Sequence, residues 1–149
     1  MTRHLVFVLL LTLATTLFAD EIRPGFLQLK ETAPGVFSIT WKVPAKGDRK
    51  LGIDVQLPVN CRDQGRADAQ LVNGAYIARW MVVCDGGLVD REISIAGLNA
   101  TSTDVLLHME FKDGRSQSAQ LTPASHTYRV PAKSSSLEIA TTYTVIGIE

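Results

Sequence analysis

Ala75–Cys84, AYIARWMVVC, constrains this chain more than any other stretch. It alternates at period two, with large residues on both sides, which predicts a strand rather than a helix. Tyr76, Ala78, Trp80, Val82 and Cys84 point one way, and Ile77, Arg79, Met81 and Val83 the other. Trp80 and Cys84 share a face, and the only other cysteine, Cys61, lies upstream across a polar stretch. A strand that carries both a large aromatic and one half of a prospective disulfide is expected at the centre of a small β domain.

The rest of the chain repeats the pattern. After the Pro24–Gly25 break, Leu27 and Leu29 alternate with Phe26, Gln28 and Lys30. This predicts a first strand, expected at a sheet edge because Lys30 and Glu31 suit a solvated border. Ala33-Pro34-Gly35 is a turn. Val36–Val43 then places Phe37, Ile39, Trp41 and Val43 on one face. In such a stripe Trp41 reads as core packing rather than as a platform for stacking a ligand. Leu51–Leu57 alternates and stops at Pro58. Arg62–Ala69 reads as a charged surface loop, and Asp85-Gly86-Gly87 as a turn. Shorter strands are expected over Arg91–Leu98, Thr103–Phe111, Ser116–Thr122 and His126–Val130. Lys112-Asp113-Gly114-Arg115 is a tight hairpin, because Asp-Gly tolerates positive φ. No segment shows a convincing helical period. The expectation is an all-β chain, an antiparallel immunoglobulin-like β-sandwich preceded by a signal-peptide helix.

The N-terminus predicts the compartment. Arg3 and His4 precede an apolar run over Leu5–Phe18, and Ala19 closes it. This is signal-peptide anatomy, with cleavage expected near Ala19–Asp20. An uncleaved anchor is the alternative, since Leu17 is poorer than Ala at the third position before the cut. The run is short for a span, which needs about 20 apolar residues. The predicted organisation is a signal peptide over 1–19, a sandwich domain over 20–131, and a linker with the start of a membrane-proximal segment over 132–149. In an exported protein two lone cysteines most often pair, so Cys61 and Cys84 are expected to form a disulfide. They are too far apart for a CxxC redox motif and make half a zinc site at best.

Formal charges cancel over the 149 residues. No basic face argues for nucleic acid, so none is expected as a partner. Serines are plentiful, but none sits in a Gly-x-Ser-x-Gly elbow. There is no P-loop and no dinucleotide fingerprint, and the expectation is a non-enzyme with no cofactor. Asp85 and Asp90 lie in a turn-rich segment with no apolar pocket to raise a pKa. The weak metal candidates are His108 and Glu110, which share one side of a strand, and His126, which joins them only if the fold brings the hairpins together. Two ligands from one strand are too few for a tight site, so no metal site is assigned.

Beyond the Ser134–Ser136 run the chain reads LEIATTYTVIGIE, rising in apolar content toward Glu149, which suggests truncation. The segments RPGFLQLKE, APGVFSITWKVPAKGD, ARWMVVC, GLNATSTDVLLHMEFKDG, LTP and TYTVIGIE follow one another in order. In that order the chain resembles the N-terminal extracytoplasmic region of the HupE/UreJ family of membrane proteins. In that family a Tyr-containing stretch leads to a Gly-x-Glu-His motif that opens the first transmembrane helix. Gly147, Ile148 and Glu149 match its first three positions. The resemblance implies a periplasmic or membrane-attached domain held outside the cytoplasm, joined to the membrane through a C-terminal part, and contacting a protein partner. It implies a link to nickel or cobalt transport, or to metal supply for hydrogenase or urease. The family's membrane-embedded acidic and histidine residues are not in this sequence, so transport itself does not fall to these residues. The alternative is a freestanding secreted β-sandwich binding module.

Overall fold

A computed structural model of the protein describes residues 23–132. The expected signal segment and the tail from residue 133 onward lie outside the described residues. The described residues form eleven strands in chain order. They are β1 (Gly25–Ala33), β2 (Val36–Lys46), β3 (Arg49–Lys50), β4 (Asp54–Gln56), β5 (Cys61–Gln64) and β6 (Gln70–Val72). These are followed by β7 (Ala75–Cys84), β8 (Glu92–Ala96), β9 (Val105–Glu110), β10 (Ser116–Leu121) and β11 (Thr127–Arg129). A 3-10 turn, Leu98–Ala100, links β8 toward β9.

The strands form two sheets in a sandwich-like arrangement. The larger runs β10-β9-β1-β2-β7-β5, with β3 hung on β2 and β6 on β7. The smaller runs β11-β8-β4. Their inward faces share one apolar core. Leu27, Ile39, Val43 and Val82 from the large sheet are fully buried, as are Ile93 and Ile95 from the small one. Each such aliphatic side chain contributes about 1.5–3 kcal/mol relative to exposure. Trp41 and Trp80 are 1% and 5% exposed, as their apolar stripes predict. β7 has the bounds that its alternation predicts, and it makes the longest pairing of the sheet, with β2 from Val36↔Val83 to Pro44↔Ala75.

Three expectations are corrected. First, the large sheet is mixed rather than antiparallel throughout, because β1 pairs β9 in parallel from Gly25↔Val105 to Lys30↔Glu110. A parallel pair needs a long crossover. Here the chain supplies it with the whole run β2–β8, which enters the small sheet at β4 and again at β8. The Gly25 N–H donates to the Asp104 carbonyl at 2.8 Å and sets the register. Second, β1 is interior, between β2 and β9, and not at an edge. Lys30 is accommodated because the outward face of the large sheet is solvated, and there it pairs with Glu110 at 3.6 Å. Third, the stretch read as a surface loop over Arg62–Ala69 begins with strand β5. β5 and β6 both pair with β7, opposite its distal and proximal ends, so they form one interrupted border strand. β6 turns into β7 through Asn73 (φ 48) and Gly74 (φ 75). Those positive φ values are the ones an Asn-Gly hairpin turn requires.

The Leu51–Leu57 alternation is shortened to β4, with Ile53 and Val55 buried while Leu51 and Leu57 pack at the core margin. At Gly97 (φ 78) the two layers' connections come together. A Cβ there would lie 2.3 Å from the Gly52 carbonyl oxygen.

Candidate functional site

The centre of β7 and its border strand form the first cluster. Cys61 and Cys84 stand opposite each other in the β5–β7 register and are bonded, with Cα atoms 3.9 Å apart. This is inside the roughly 7 Å reach of a disulfide. Two residues along β5, the Asp63 carboxylate accepts a hydrogen bond from Trp80 Nε1 at 2.9 Å. Past the break in the border strand, the Arg66 guanidinium stacks over the Trp80 ring. The same guanidinium reaches across to Asp54 of β4 at 2.5 Å. Val55, Leu57, Cys61, Asp63, Arg66 and Trp80 enclose a small cleft of about 240 Å³. Nothing in the sequence tied Asp63 or Arg66 to Trp80, since both sit in a stretch of mixed charge.

The second cluster lies on the outward face of β9. His108 and Glu110 are brought together, with Nε2 3.3 Å from the Glu110 carboxylate. The other ring nitrogen, Nδ1, is 2.9 Å from the Ser118 hydroxyl on β10. Gln28 on β1 donates to the same Glu110 oxygen at 3.5 Å. Parallel pairing explains the grouping, because Gln28 and Lys30 fall opposite His108 and Glu110. His126 does not join them. It precedes β11 in the other sheet, where its carbonyl accepts the Ile95 N–H at 3.0 Å. Among the described residues no group of three or more His, Cys, Asp or Glu is placed to hold a metal ion. Both imidazole nitrogens of His108 are already engaged, so the grouping works as a polar clasp across three strands.

The third place is a cavity of about 530 Å³, within the usual range for small-molecule sites. Its walls come from distant parts of the chain: Arg23, Pro44–Lys46 at the end of β2, Leu51, Gly74, and residues 100–103. Local hydrogen bonds fix these walls. The Ala45 N–H donates to the Gly74 carbonyl at 2.9 Å. The Thr101 hydroxyl donates to the Leu98 carbonyl at 2.8 Å and accepts the Thr103 N–H at 3.2 Å. Pro44, Ala45, Leu51 and Ala100 give an apolar floor, while Ser102 and Thr103 add hydroxyls. Of the described residues that line it, Arg23 and Lys46 are cationic and none is acidic. Sequence reading did not find this cavity, because no short stretch contains more than four of its residues.

Two ionisable groups are perturbed away from these clusters. The Asp113 carboxyl is held below its ordinary value of 3.8, chiefly by the Arg115 N–H and then by the Arg115 guanidinium. Burial raises the Tyr128 phenol above 10.0, and its hydroxyl donates to Gln117 at 3.2 Å.

Fold and site together define the class as an all-β, sandwich-like domain clasped by one cystine. No protein-family model matches the chain, and no curated protein matches it.

Proposed function

We propose that the chain is a non-catalytic extracytoplasmic domain with an immunoglobulin-like sandwich, and that it acts by contact with a partner. In this reading it is the soluble head of a membrane protein resembling the HupE/UreJ family, linked to nickel or cobalt transport or to metal supply for hydrogenase or urease. The observation that carries it is the Cys61–Cys84 cystine, because a lone disulfide in a small β domain belongs to an oxidising compartment. The apolar Leu5–Phe18 run supplies the route of export. The ordered segments from RPGFLQLKE to TYTVIGIE supply the family.

Two measurements test the proposal. Alkaline phosphatase, which folds only where disulfides form, is fused after Glu149 and assayed in whole cells. Activity supports export, and an inactive but stable fusion overturns it. The reading frame beyond Glu149 then tests the membrane part. A continuation that opens with histidine and about 20 apolar residues supports a membrane anchor. A stop codon transfers the proposal to the second reading, a freestanding secreted binding module. That second reading is favoured by the cavity lined by Lys46 and residues 100–103.

A further inference from the structure

We infer that the Cys61–Cys84 cystine is a thiol–disulfide exchange site, open to an external dithiol from the Cys61 side alone. The inference goes beyond contact with a partner and needs neither the membrane anchor nor the family. In it the chain is the substrate of exchange, not its catalyst. Four observations converge.

The first is access. Cys61 is partly exposed and lines the cleft of about 240 Å³ that Val55, Leu57 and Trp80 also wall. An incoming thiolate must reach one sulfur, and access helps to set the rate. The second is the cover on the other half. Cys84 is 1% exposed and is absent from the walls of that cleft. Its N–H donates to the Gly35 carbonyl at 2.7 Å, which lays the β1–β2 turn against it. The cystine therefore offers one sulfur and hides the other. The third is the strand that carries the open half. None of the four residues of β5 is buried, so no packed side chain of that strand seals the bond. The fourth is what survives opening. Asn60 Nδ2 donates to the Asp85 carbonyl at 2.8 Å and to the Gly87 carbonyl at 2.9 Å, and the Asp85 N–H donates back to the Asn60 carbonyl at 2.8 Å. This clamp adjoins both cysteines. It holds the reduced pair together and lets the bond re-form.

Charge narrows the reagent. At the mouth Arg62 pairs with Asp85, and Arg66 with Asp54. Asp63 accepts the Trp80 N–H and makes no salt bridge among the described residues. One carboxylate is in excess there, so a dithiol without carboxylates of its own suits the cleft best. Its first thiolate bonds to Cys61 Sγ as the cystine breaks, and the proton it gave up ends on Cys84 as a thiol. Its second thiol then attacks the reagent sulfur of the mixed disulfide. The reagent leaves as a disulfide and Cys61 returns as a thiol, two electrons having passed from dithiol to cystine.

The test uses the full chain. Brief exposure to 2-mercaptoethanol is followed by acid quenching, alkylation and peptide mapping. The adduct should sit on Cys61 with the alkylated thiol on Cys84, and the reverse pattern should be at least roughly ten-fold rarer. Equal or reversed labelling overturns the inference. Reduction by dithiothreitol should rise in proportion to its concentration and change little with urea below the unfolding transition. A rate that levels off with dithiothreitol and climbs steeply with urea overturns it, because the bond then opens only in the unfolded chain. The reduced chain should keep its native tryptophan fluorescence and re-close with oxidised glutathione. Asn60→Ala should re-close about ten-fold more slowly, the effect of losing a clamp worth about one buried hydrogen bond. A reduced chain that unfolds, or an Asn60→Ala variant that re-closes as fast, also overturns it. The phosphatase fusion reads export alone, so a failure here and a failure of the export reading are told apart.

Discussion

The guanidinium carbon of Arg66 lies 4.3 Å from the centroid of the Trp80 ring. Arg66 thereby bridges the two sheets above their shared core, because it also pairs with Asp54 on the small sheet while Trp80 belongs to the large one. Arg66→Ala should therefore cost about 1–2 kcal/mol, the sum of a partly desolvated cation–π contact and a modest ion pair. Trp80 fluorescence should shift to the red as water reaches the ring. Urea unfolding read by that fluorescence checks both. An unchanged emission maximum would mean that another group covers Trp80.

The Cys61–Cys84 bond closes a separation of 23 residues. In the chain-entropy account a loop of that size stabilises the native state by about 3 kcal/mol. The Cys61→Ser, Cys84→Ser double variant should lose about that much in denaturant unfolding. The native protein should show no reaction with a thiol reagent until it is reduced.

Gly97 and Gly47 both have positive φ, but their surroundings differ. A Cβ at Gly97 meets the Gly52 carbonyl oxygen at 2.3 Å, while one at Gly47 meets nothing within 4 Å. Gly47→Ala should cost only the left-handed backbone strain, about 1–2 kcal/mol. Gly97→Ala adds a main-chain clash and should exceed it by at least about 2 kcal/mol. Thermal midpoints of the two variants make the comparison, and equal losses would contradict it.

The pH dependence has two separate limbs. Asp113 titrates below 3.8 when folded, so its contribution is present above that value and is lost as pH falls through the lower folded one. Asp113 lies at the surface, so the effect stays local, and the Arg115 amide shift should report it with a midpoint below 3.8. Tyr128 is raised above 10.0 by burial, so its contribution is complete below that value and lost as pH rises through the higher folded one. Phenolate absorbance should show a late-ionising tyrosine that Tyr128→Phe removes.

Strands that bury one clean stripe were legible in the sequence. Phe37, Ile39, Trp41 and Val43 define β2, and Val105, Leu107 and Met109 define β9, because apolar spacing alone decides which face turns inward. β5 was not legible, since Cys61–Gln64 is exposed along most of its length and is held by backbone pairing to β7 rather than by burial. β6 is exposed throughout, though Asn73–Gly74 carried a hairpin signal that its weak flanks obscured. The pairing of the two cysteines followed from compartment chemistry. The cavity was invisible because its residues are ordinary one by one and become a site only when the ends of β2, the β6–β7 turn and residues 100–103 converge. The partnership of β1 with β9 was hidden for a related reason. Local patterning records which face of a strand is buried, not which neighbour lies beside it.

That partnership also sets a schedule. Gln28 and Glu110, neighbours across the β1–β9 seam, are separated by 82 positions. Contacts of such long range are slow to form, because a large loop must close before they are rewarded. A nascent chain delivered N-terminus first would carry Leu27 and Leu29 with one flank uncovered until the last third of the domain arrived. β1 and β2 would dock early as a hairpin and wait. Over that interval the half-built sheet keeps an unpaired edge along β1, and the arrival of β9 is the event that closes it.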